Sequence, residues 1–161
     1  ILQHLGDVAW AKNNLDAADS LYGDAAQRFS TALGTDHPRY AAVLNGWARI
    51  RRDQQRLDAA EELYRMAIHV YERHSAQNPS DLVAPLHNLG LLLLEQERLD
   101  EAGPLLERAN RLAEESGKPG DGRALVVART LTRYYRAVGN AEKAAEFEKK
   151  ANEMALDVLM K

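Results

Sequence analysis

The sequence predicts an all-α fold, a solenoid built from about four helix hairpins. Within each segment the apolar residues recur at intervals of three or four, which is the period of an amphipathic helix and differs from the alternation of a strand. A column of small residues also recurs at a constant step of 42 without a gap, which is typical of repeat proteins. Its members are Ala18, Ala60, Ala102 and Ala144. Hairpins related by such a period bury their apolar faces by stacking on their neighbours.

Four more columns keep the same 42-residue register, which chance does not explain. In one of them a leucine or alanine comes directly before an acid. Small residues in the columns let neighbouring helices approach to about 8–10 Å, and the larger residues fill the space that is left. The four columns are Leu15, Leu57, Leu99 and Ala141; Leu21, Leu63, Leu105 and Phe147; Ala25, Ala67, Ala109 and Ala151; and Leu5, Trp47, Leu89 and Leu131.

Eight helices follow from the breaks in the periodicity. Segments rich in Gly, Pro and polar residues separate the hairpins, and shorter polar joints separate the two helices of each hairpin. The longer segments are 34–38, 77–80 and 116–122, and the joints lie near 13–14, 54–56, 96–98 and 139–140. The predicted helices, in chain order, are 1–12, 15–33, 37–53, 56–75, 80–96, 99–115, 122–137 and 141–158.

The helix ends carry residues suited to their positions. The second helix of each hairpin has an acid in its first turn, which complements the positive end of the helix dipole. Ser80 and Asp81 are expected to cap the fifth helix, and Asn140 the eighth, by accepting hydrogen bonds from free N–H groups. Pro104 is expected close enough to the start of the sixth helix that its missing N–H would have no acceptor there.

The 161 residues suit one domain, which we predict to span the whole chain. Its four repeats are expected at about 1–36, 37–78, 79–120 and 121–161. Because the first repeat begins almost inside its helix, the chain is expected to be a fragment of a longer protein with further repeats upstream.

The composition excludes several classes of protein. No apolar run approaches the roughly 18 residues of a membrane-spanning helix, so no membrane partner is expected. A net charge of -3 argues against a nucleic-acid partner. The chain has no cysteine, which excludes disulfides, thiolate zinc sites and thiol catalysis, and indicates a reducing, cytoplasmic location.

The sequence shows no catalytic constellation. His69 and His74 lie five residues apart, which places them about 140° apart around a helix, whereas two metal ligands on one face need a spacing of three or four. The glycines of segment 117–122 follow no strand and lack the lysine of a phosphate-binding loop. We therefore predict that the protein is not an enzyme and needs no metal or cofactor.

The repeat resembles the tetratricopeptide repeat. The period of 42 is longer than the usual unit and is similar to the kinesin light chain type of repeat, as are the strings Leu-Gly-Thr-Asp-His-Pro at 33–38 and Glu-Ala-Gly-Pro-Leu-Leu at 101–106. The resemblance implies a right-handed solenoid whose first helices line a concave groove, and a role in binding other proteins. The matching residues of the third repeat are Leu86, Leu89, Gly90, Ala102, Leu106 and Ala109.

The resemblance also indicates which side chains face the groove. They lie three or four residues apart in each first helix, so each set forms one stripe, which is mainly basic. The alternative interpretation is that the arginines are only the solvated face of each helix. The binding residues expected are Asn45, Arg49, Arg52, His87, Asn88, Leu91, Leu94, Arg129, Arg133 and Arg136, with Gln3, Asp7 and Trp10 in the first repeat.

These residues predict a scaffold that holds an extended peptide or a partner helix. The arginines would pair acidic groups, Asn45 and Asn88 would bind peptide backbone, and Leu91 and Leu94 would take an apolar anchor. The expected partner is therefore a protein or peptide with acidic and hydrophobic residues.

Two other functions remain open. The chain could be a structural segment that self-assembles through exposed terminal helices, or a regulatory sensor domain of a larger protein. Self-assembly is suggested by an apolar stripe on the last helix that has no following hairpin to cover it, which would make a homo-oligomer. The stripe comprises Ala144, Phe147, Ala151, Met154, Ala155 and Val158, with Leu156, Leu159 and Met160 at its edge.

Overall fold

A computed structural model describes residues 1–116 and 122–159 of the chain. In these ranges the structure contains eight α-helices, one 3-10 helix and no strand, so the predicted all-α class is confirmed. The 3-10 helix is Pro79–Leu82. The α-helices are α1 (Leu2–Ala11), α2 (Leu15–Leu33), α3 (Pro38–Asp53), α4 (Leu57–Arg73), α5 (Val83–Glu95), α6 (Leu99–Glu115), α7 (Arg123–Ala137) and α8 (Ala141–Leu159).

The largest difference from the predicted boundaries lies before α5. The chain forms the 3-10 helix first, and the residue that precedes α5 is Leu82, which makes no side-chain cap. Ser80 and Asp81 therefore do not cap α5, and that prediction was wrong. Leu82 is 1% exposed, so burial of its side chain draws this turn inward and displaces the start of the α-helix. By contrast, the Oδ1 of Asn140 accepts from the N–H of Lys143 at 3.0 Å, which confirms that cap.

Pro104 lies deeper in its helix than expected. In the first turn of a helix, the N–H groups lack intrahelical acceptors. Because α6 begins at Leu99, Pro104 lies beyond that turn. Its missing N–H therefore leaves the carbonyl of Asp100 without its helical hydrogen bond. Pro104 is exposed, so water can reach the helix surface at this point.

The chain forms two compact units, Ile1–Asn78 and Pro79–Lys161. Their boundary coincides with the predicted boundary between the second and third repeats. The prediction that all 161 residues make one domain stays a prediction. Unit 1 contains α1 to α4 and unit 2 contains the 3-10 helix and α5 to α8, and within each unit every α-helix packs on the next one.

The core of unit 1 is built around Tyr22 of α2. Its ring lies between Gly6 of α1 and Gly46 of α3, where even one methyl group would collide with it; a Cβ at Gly6 would lie 2.7 Å from the ring. Tyr22 is 4% exposed and Ala18, one turn earlier, is fully buried. The two glycines therefore let three helices close on one aromatic ring.

In unit 2 a leucine side chain packs against a glycine in the same way. Leu106 of α6 is fully buried against Gly90 of α5, where a Cβ would lie 2.7 Å from the leucine side chain. Ala102, Ala109 and Leu131 are also fully buried. The small-residue columns predicted from the sequence thus lie in the helix contacts of this unit.

The stripe on α8 largely packs inside unit 2. Ala144 and Ala151 are each 4% exposed, and the ring of Phe147 stacks on that of Tyr135 with centroids 5.5 Å apart. These residues do not contribute to an open face, so the self-assembly hypothesis depends on the edge of the stripe and stays a prediction. Leu156 is 59% exposed. The side chains of Val158, Leu159 and Met160 lie outside the described part of the structure.

Among the described residues, no helix is both long enough and apolar enough to cross a membrane.

Two buried tyrosines donate hydrogen bonds to carboxylates. The hydroxyl of Tyr22 donates to Asp7 at 2.6 Å, and that of Tyr135 donates to Glu107 at 2.6 Å. Burial, followed by these bonds, raises the pKa of both tyrosines well above its ordinary value. The folded state therefore keeps both hydroxyls protonated in alkaline solution.

We expect this chain to lose stability above about pH 10, where a tyrosine of the unfolded chain ionises. The stabilising contribution is complete below that pH. It falls as the pH rises further, because the unfolded state releases protons that the folded state retains. Urea unfolding at pH 8, 9, 10 and 11 should show a smaller alkaline loss for the double variant Tyr22→Phe, Tyr135→Phe. Equal alkaline slopes for the variant and the wild type would contradict the assignment.

Candidate functional site

The predicted binding arginines of unit 1 are engaged within the unit. The guanidinium of Arg49 lies 4.4 Å from the ring centroid of Trp10, and Arg52 pairs with the neighbouring carboxylate of Asp53 at 3.3 Å. The indole Nε1 of Trp10 donates to Asp53 at 2.7 Å. A cation stacked on an aromatic ring or paired with a carboxylate offers less attraction to a further acid. This arrangement favours a structural role for Arg49 and Arg52.

The other predicted groove residues of unit 1 are also partly used. Asp7 accepts the hydrogen bond of Tyr22, and Asn45 is half-buried and has interactions of its own. Gln3 is half-buried on the same helix as Asp7. Asp7 and Asn45 are therefore already engaged by other groups of this chain.

In unit 2 the first helices of the two hairpins, α5 and α7, pack side by side. His87 of α5 joins them, with its Nε2 at 2.8 Å from the hydroxyl oxygen of Thr130 on α7. The same hydroxyl oxygen also lies 3.1 Å from the carbonyl oxygen of Val126 on its own helix. His87 is only 8% exposed. It therefore holds the two helices together and offers little surface to a ligand.

Side chains spaced three or four apart on these two helices form a continuous surface, which we call the α5–α7 face. Arg129 and Arg133 are exposed on it, and neither forms an ion pair with any residue that the structure describes. Leu91 is half-buried and Leu94 is 8% exposed. The face consists of Asn88, Leu91, Leu94, Val126, Arg129 and Arg133.

A cleft of about 380 Å³ opens where α5 and α7 begin, and we call it the first cleft. Its walls are mainly aliphatic. The polar groups in it are largely committed, since His87 bonds to Thr130 and the Nη1 of Arg123 donates to the carbonyl of Ser80 at 3.0 Å. Its lining residues are Val83, Ala84, His87, Asn88, Gly122, Arg123, Val126 and Val127.

A second cleft of about 590 Å³ lies where the same two helices end. It brings together two of the predicted site residues, Leu94 and Arg133, with Leu99 and Ala137. Glu97 also lines it, so the described lining residues include one guanidinium, that of Arg133, and one carboxylate.

Arg136 does not belong to this face. Its guanidinium pairs with the carboxylate of Glu148 on α8 at 2.9 Å. Glu148 stands in the column that holds Tyr22 and Leu106 in other repeats, so the last hairpin has an ion pair where the others have a core residue.

The aliphatic lining of the first cleft was missed by sequence reasoning. Val126 is 49% exposed and stands three residues before Arg129, so helical spacing alone places it on the stripe of Arg129 and Arg133. A valine at this position of the stripe is the sequence feature that would have indicated apolar surface there.

The site's chemistry is that of recognition. It offers guanidinium groups, an amide and aliphatic surface, which can bind carboxylates, peptide backbone and apolar side chains. In the described ranges, no group of three or more His, Asp or Glu side chains is placed to hold a metal ion.

The family model of the tetratricopeptide repeat matches residues 1–73 and 81–157. Since these ranges cover most of the chain, the protein belongs to the tetratricopeptide repeat family. No curated protein matches the sequence.

Solved structures with the same fold include BtubC (BKLC) from P. vanneervenii, which is 21% identical with a TM-score of 0.85 over 96% of this chain. The chain spans 62% of that protein, less than two thirds of its length. Another is a putative kinesin light chain of Podosopora anserina that has nearly identical TPR-like repeats. Its sequence is 21% identical to this chain, and the two structures align with a TM-score of 0.72 over 96% of this chain and 73% of that protein. A single-substitution variant of that protein is 20% identical to this chain and aligns with a TM-score of 0.76 over 99% of this chain and 76% of the variant.

These likenesses confirm two predictions, the helical-repeat solenoid class and the kinesin light chain type of repeat. At this identity they show the fold alone. The tetratricopeptide fold supports a general role as a protein–protein interaction scaffold, and proteins of this family are typically not enzymes.

Proposed function

We propose that this protein binds an extended segment of a partner protein, carrying acidic and hydrophobic residues, on the α5–α7 face. The observation that carries the proposal is the pair Arg129 and Arg133, exposed and without ion pairs among the described residues, beside leucines and an aliphatic cleft. Charge and apolar surface on one face match a ligand with both features.

The arginines supply the attraction for acids. A guanidinium presents donors in a planar fork that pairs a carboxylate through two parallel hydrogen bonds. Arg129 and Arg133 are available for this, whereas Arg49, Arg52 and Arg136 already have partners within the protein. We therefore assign acid binding to the first two and only long-range attraction to the other three.

The aliphatic residues supply an anchor. Leu91 is half-buried and lies between the clefts on α5, and Leu94 lines the second cleft with little of its surface exposed. An apolar side chain placed mainly against Leu91 leaves water without the cost of an unpaired polar group. Asn88 lines the first cleft and already has an interaction within the chain; its amide has both donors and acceptors, so a hydrogen bond to a peptide backbone is the role that we assign to it. Such a ligand is a segment of another cytoplasmic protein, in keeping with the absence of cysteine from this chain.

Ionic strength tests the proposal. The ligands are labelled nonapeptides that contain one leucine and two aspartates in every possible spacing. We expect some of them to bind, with an affinity that falls about tenfold between 50 and 500 mM NaCl, because salt screens exposed charges. Fluorescence anisotropy measures the affinities. The matched control peptides carry asparagine in place of aspartate, and a second set carries lysine.

Equal binding of aspartate and asparagine peptides would contradict the proposal, and so would an affinity that does not change with salt. Binding of the lysine peptides alone would show that the charge preference is the reverse of the one proposed.

A further inference from the structure

Two residues of the second cleft, Leu94 on α5 and Arg133 on α7, lie equally far along their helices from the residues that line the first cleft. On α5, the first cleft is lined by Val83, Ala84, His87 and Asn88. The mean of their sequence positions lies eight to nine residues before Leu94 of the second cleft. On α7, when Gly122 directly before the helix is included, the lining residues are centred eight to nine positions before Arg133. At 1.5 Å per residue this separation is about 13 Å. Arg129 lies between the clefts, about 7 Å from the first.

These distances match an extended chain. A strand rises about 3.3 Å per residue, so 7 Å corresponds to about two residues and 13 Å to about four. In an extended chain, residues two and four positions away point to the same side. An apolar residue in the first cleft would therefore direct the second residue beyond it to Arg129 and the fourth to Arg133.

We propose that the face reads a spaced motif, an aliphatic residue followed or preceded by acids two and four positions away, in an extended segment. The inference rests on the proposed function and names the ligand of the same site. The aliphatic residue occupies the first cleft, whose polar groups His87 and Arg123 are already bonded. The two acids pair with Arg129 and Arg133.

An extended ligand suits this face better than a helical one. The backbone groups of an extended segment need hydrogen-bond partners, and the first cleft is lined by Asn88, whose amide carries both donors and acceptors. A helix satisfies its own backbone and would need acids about four to five and eight to nine positions from the apolar residue to span the same distances. Peptide spacing therefore distinguishes the two conformations.

The test measures the same labelled nonapeptides one by one by fluorescence anisotropy. We expect leucine with aspartates at positions two and four to bind about tenfold more tightly than leucine with aspartates at one and three or at three and five. Both chain directions are included. Longer peptides with aspartates at positions four and eight represent the helical alternative.

Two variants assign the parts of the motif to the parts of the site. Val126→Asp should remove the preference for leucine over alanine, and Val138→Asp is its matched control, because Val138 is also a valine of unit 2, is 42% exposed and lines neither cleft. Arg133→Gln should remove the benefit of the fourth-position aspartate and leave that of the second.

The outcomes separate this inference from the proposed function. Salt-sensitive binding with equal affinity at all spacings would overturn the motif and leave the proposed function standing. A preference for positions four and eight would overturn the extended conformation. An unchanged leucine preference in Val126→Asp would overturn the assignment of the first cleft. If no acidic peptide binds at all, the motif and the proposed function both fall.

Discussion

We expect the double variant Arg129→Glu, Arg133→Glu to lose about 100-fold or more in affinity for the acidic and hydrophobic peptide that binds best to the wild type. Each substitution removes a guanidinium that can pair a carboxylate and replaces it with a charge that repels one. Both side chains are exposed and without ion pairs in the described structure, so the loss should not arise from damage to the fold.

Isothermal titration calorimetry measures this loss, and circular dichroism checks the helical content. The control is Arg28→Glu, Arg111→Glu, which makes the same change in net charge at two exposed arginines on second helices. The control should lose only a few-fold, because those charges act at a distance through salt solution. Wild-type affinity in the Arg129, Arg133 variant, or an equal loss in the control, would show that the α5–α7 face is not the binding site.

We expect Tyr22→Ala to lower the free energy of unfolding by about 3–5 kcal/mol, the cost typical of removing a large buried aromatic side chain. The ring fills the space between Gly6 and Gly46, and the close approach of the three helices leaves little freedom for them to move in and refill it. Tyr22→Phe keeps the ring and loses only the hydrogen bond to the exposed Asp7, so we expect a cost of about 1 kcal/mol.

Urea unfolding followed by circular dichroism measures both values. Leu33→Ala, at an exposed position of the same helix, is the control and should change stability by less than about 1 kcal/mol. If Tyr22→Ala costs no more than Leu33→Ala, the three helices do not depend on this ring. If Tyr22→Phe costs as much as Tyr22→Ala, the hydrogen bond and not the packing would carry the stabilisation.

Helix positions were predictable because the relevant signals are local. Apolar spacing, polar joints and the small-residue columns lie within one hairpin or recur at a fixed step, so α2 and α6 have the predicted bounds 15–33 and 99–115. The start of α5 was not predictable, since a buried Leu82 in a 3-10 helix depends on what surrounds it in unit 2.

The candidate site was predictable only in part. Helical spacing placed Leu91, Leu94, Arg129 and Arg133 on stripes that the structure brings to one face. It could not distinguish these arginines from Arg49, because the ring that Arg49 contacts belongs to Trp10, a residue 39 positions away in the sequence.

The sequence by itself determined the repeat, the helices and the stripe on each first helix, because periodicity depends only on spacing along the chain. Tertiary structure decided which side chains on those stripes are available. His87 became a link between helices because Thr130, 43 positions away, meets its ring, and Arg136 became an ion pair because α8 brings Glu148 within 2.9 Å. The first cleft likewise exists only where α5 and α7 lie side by side. Contacts of this kind depend on the rotation of packed helices and on the distance between them. The volumes of the core side chains set both quantities, and no single stripe encodes them.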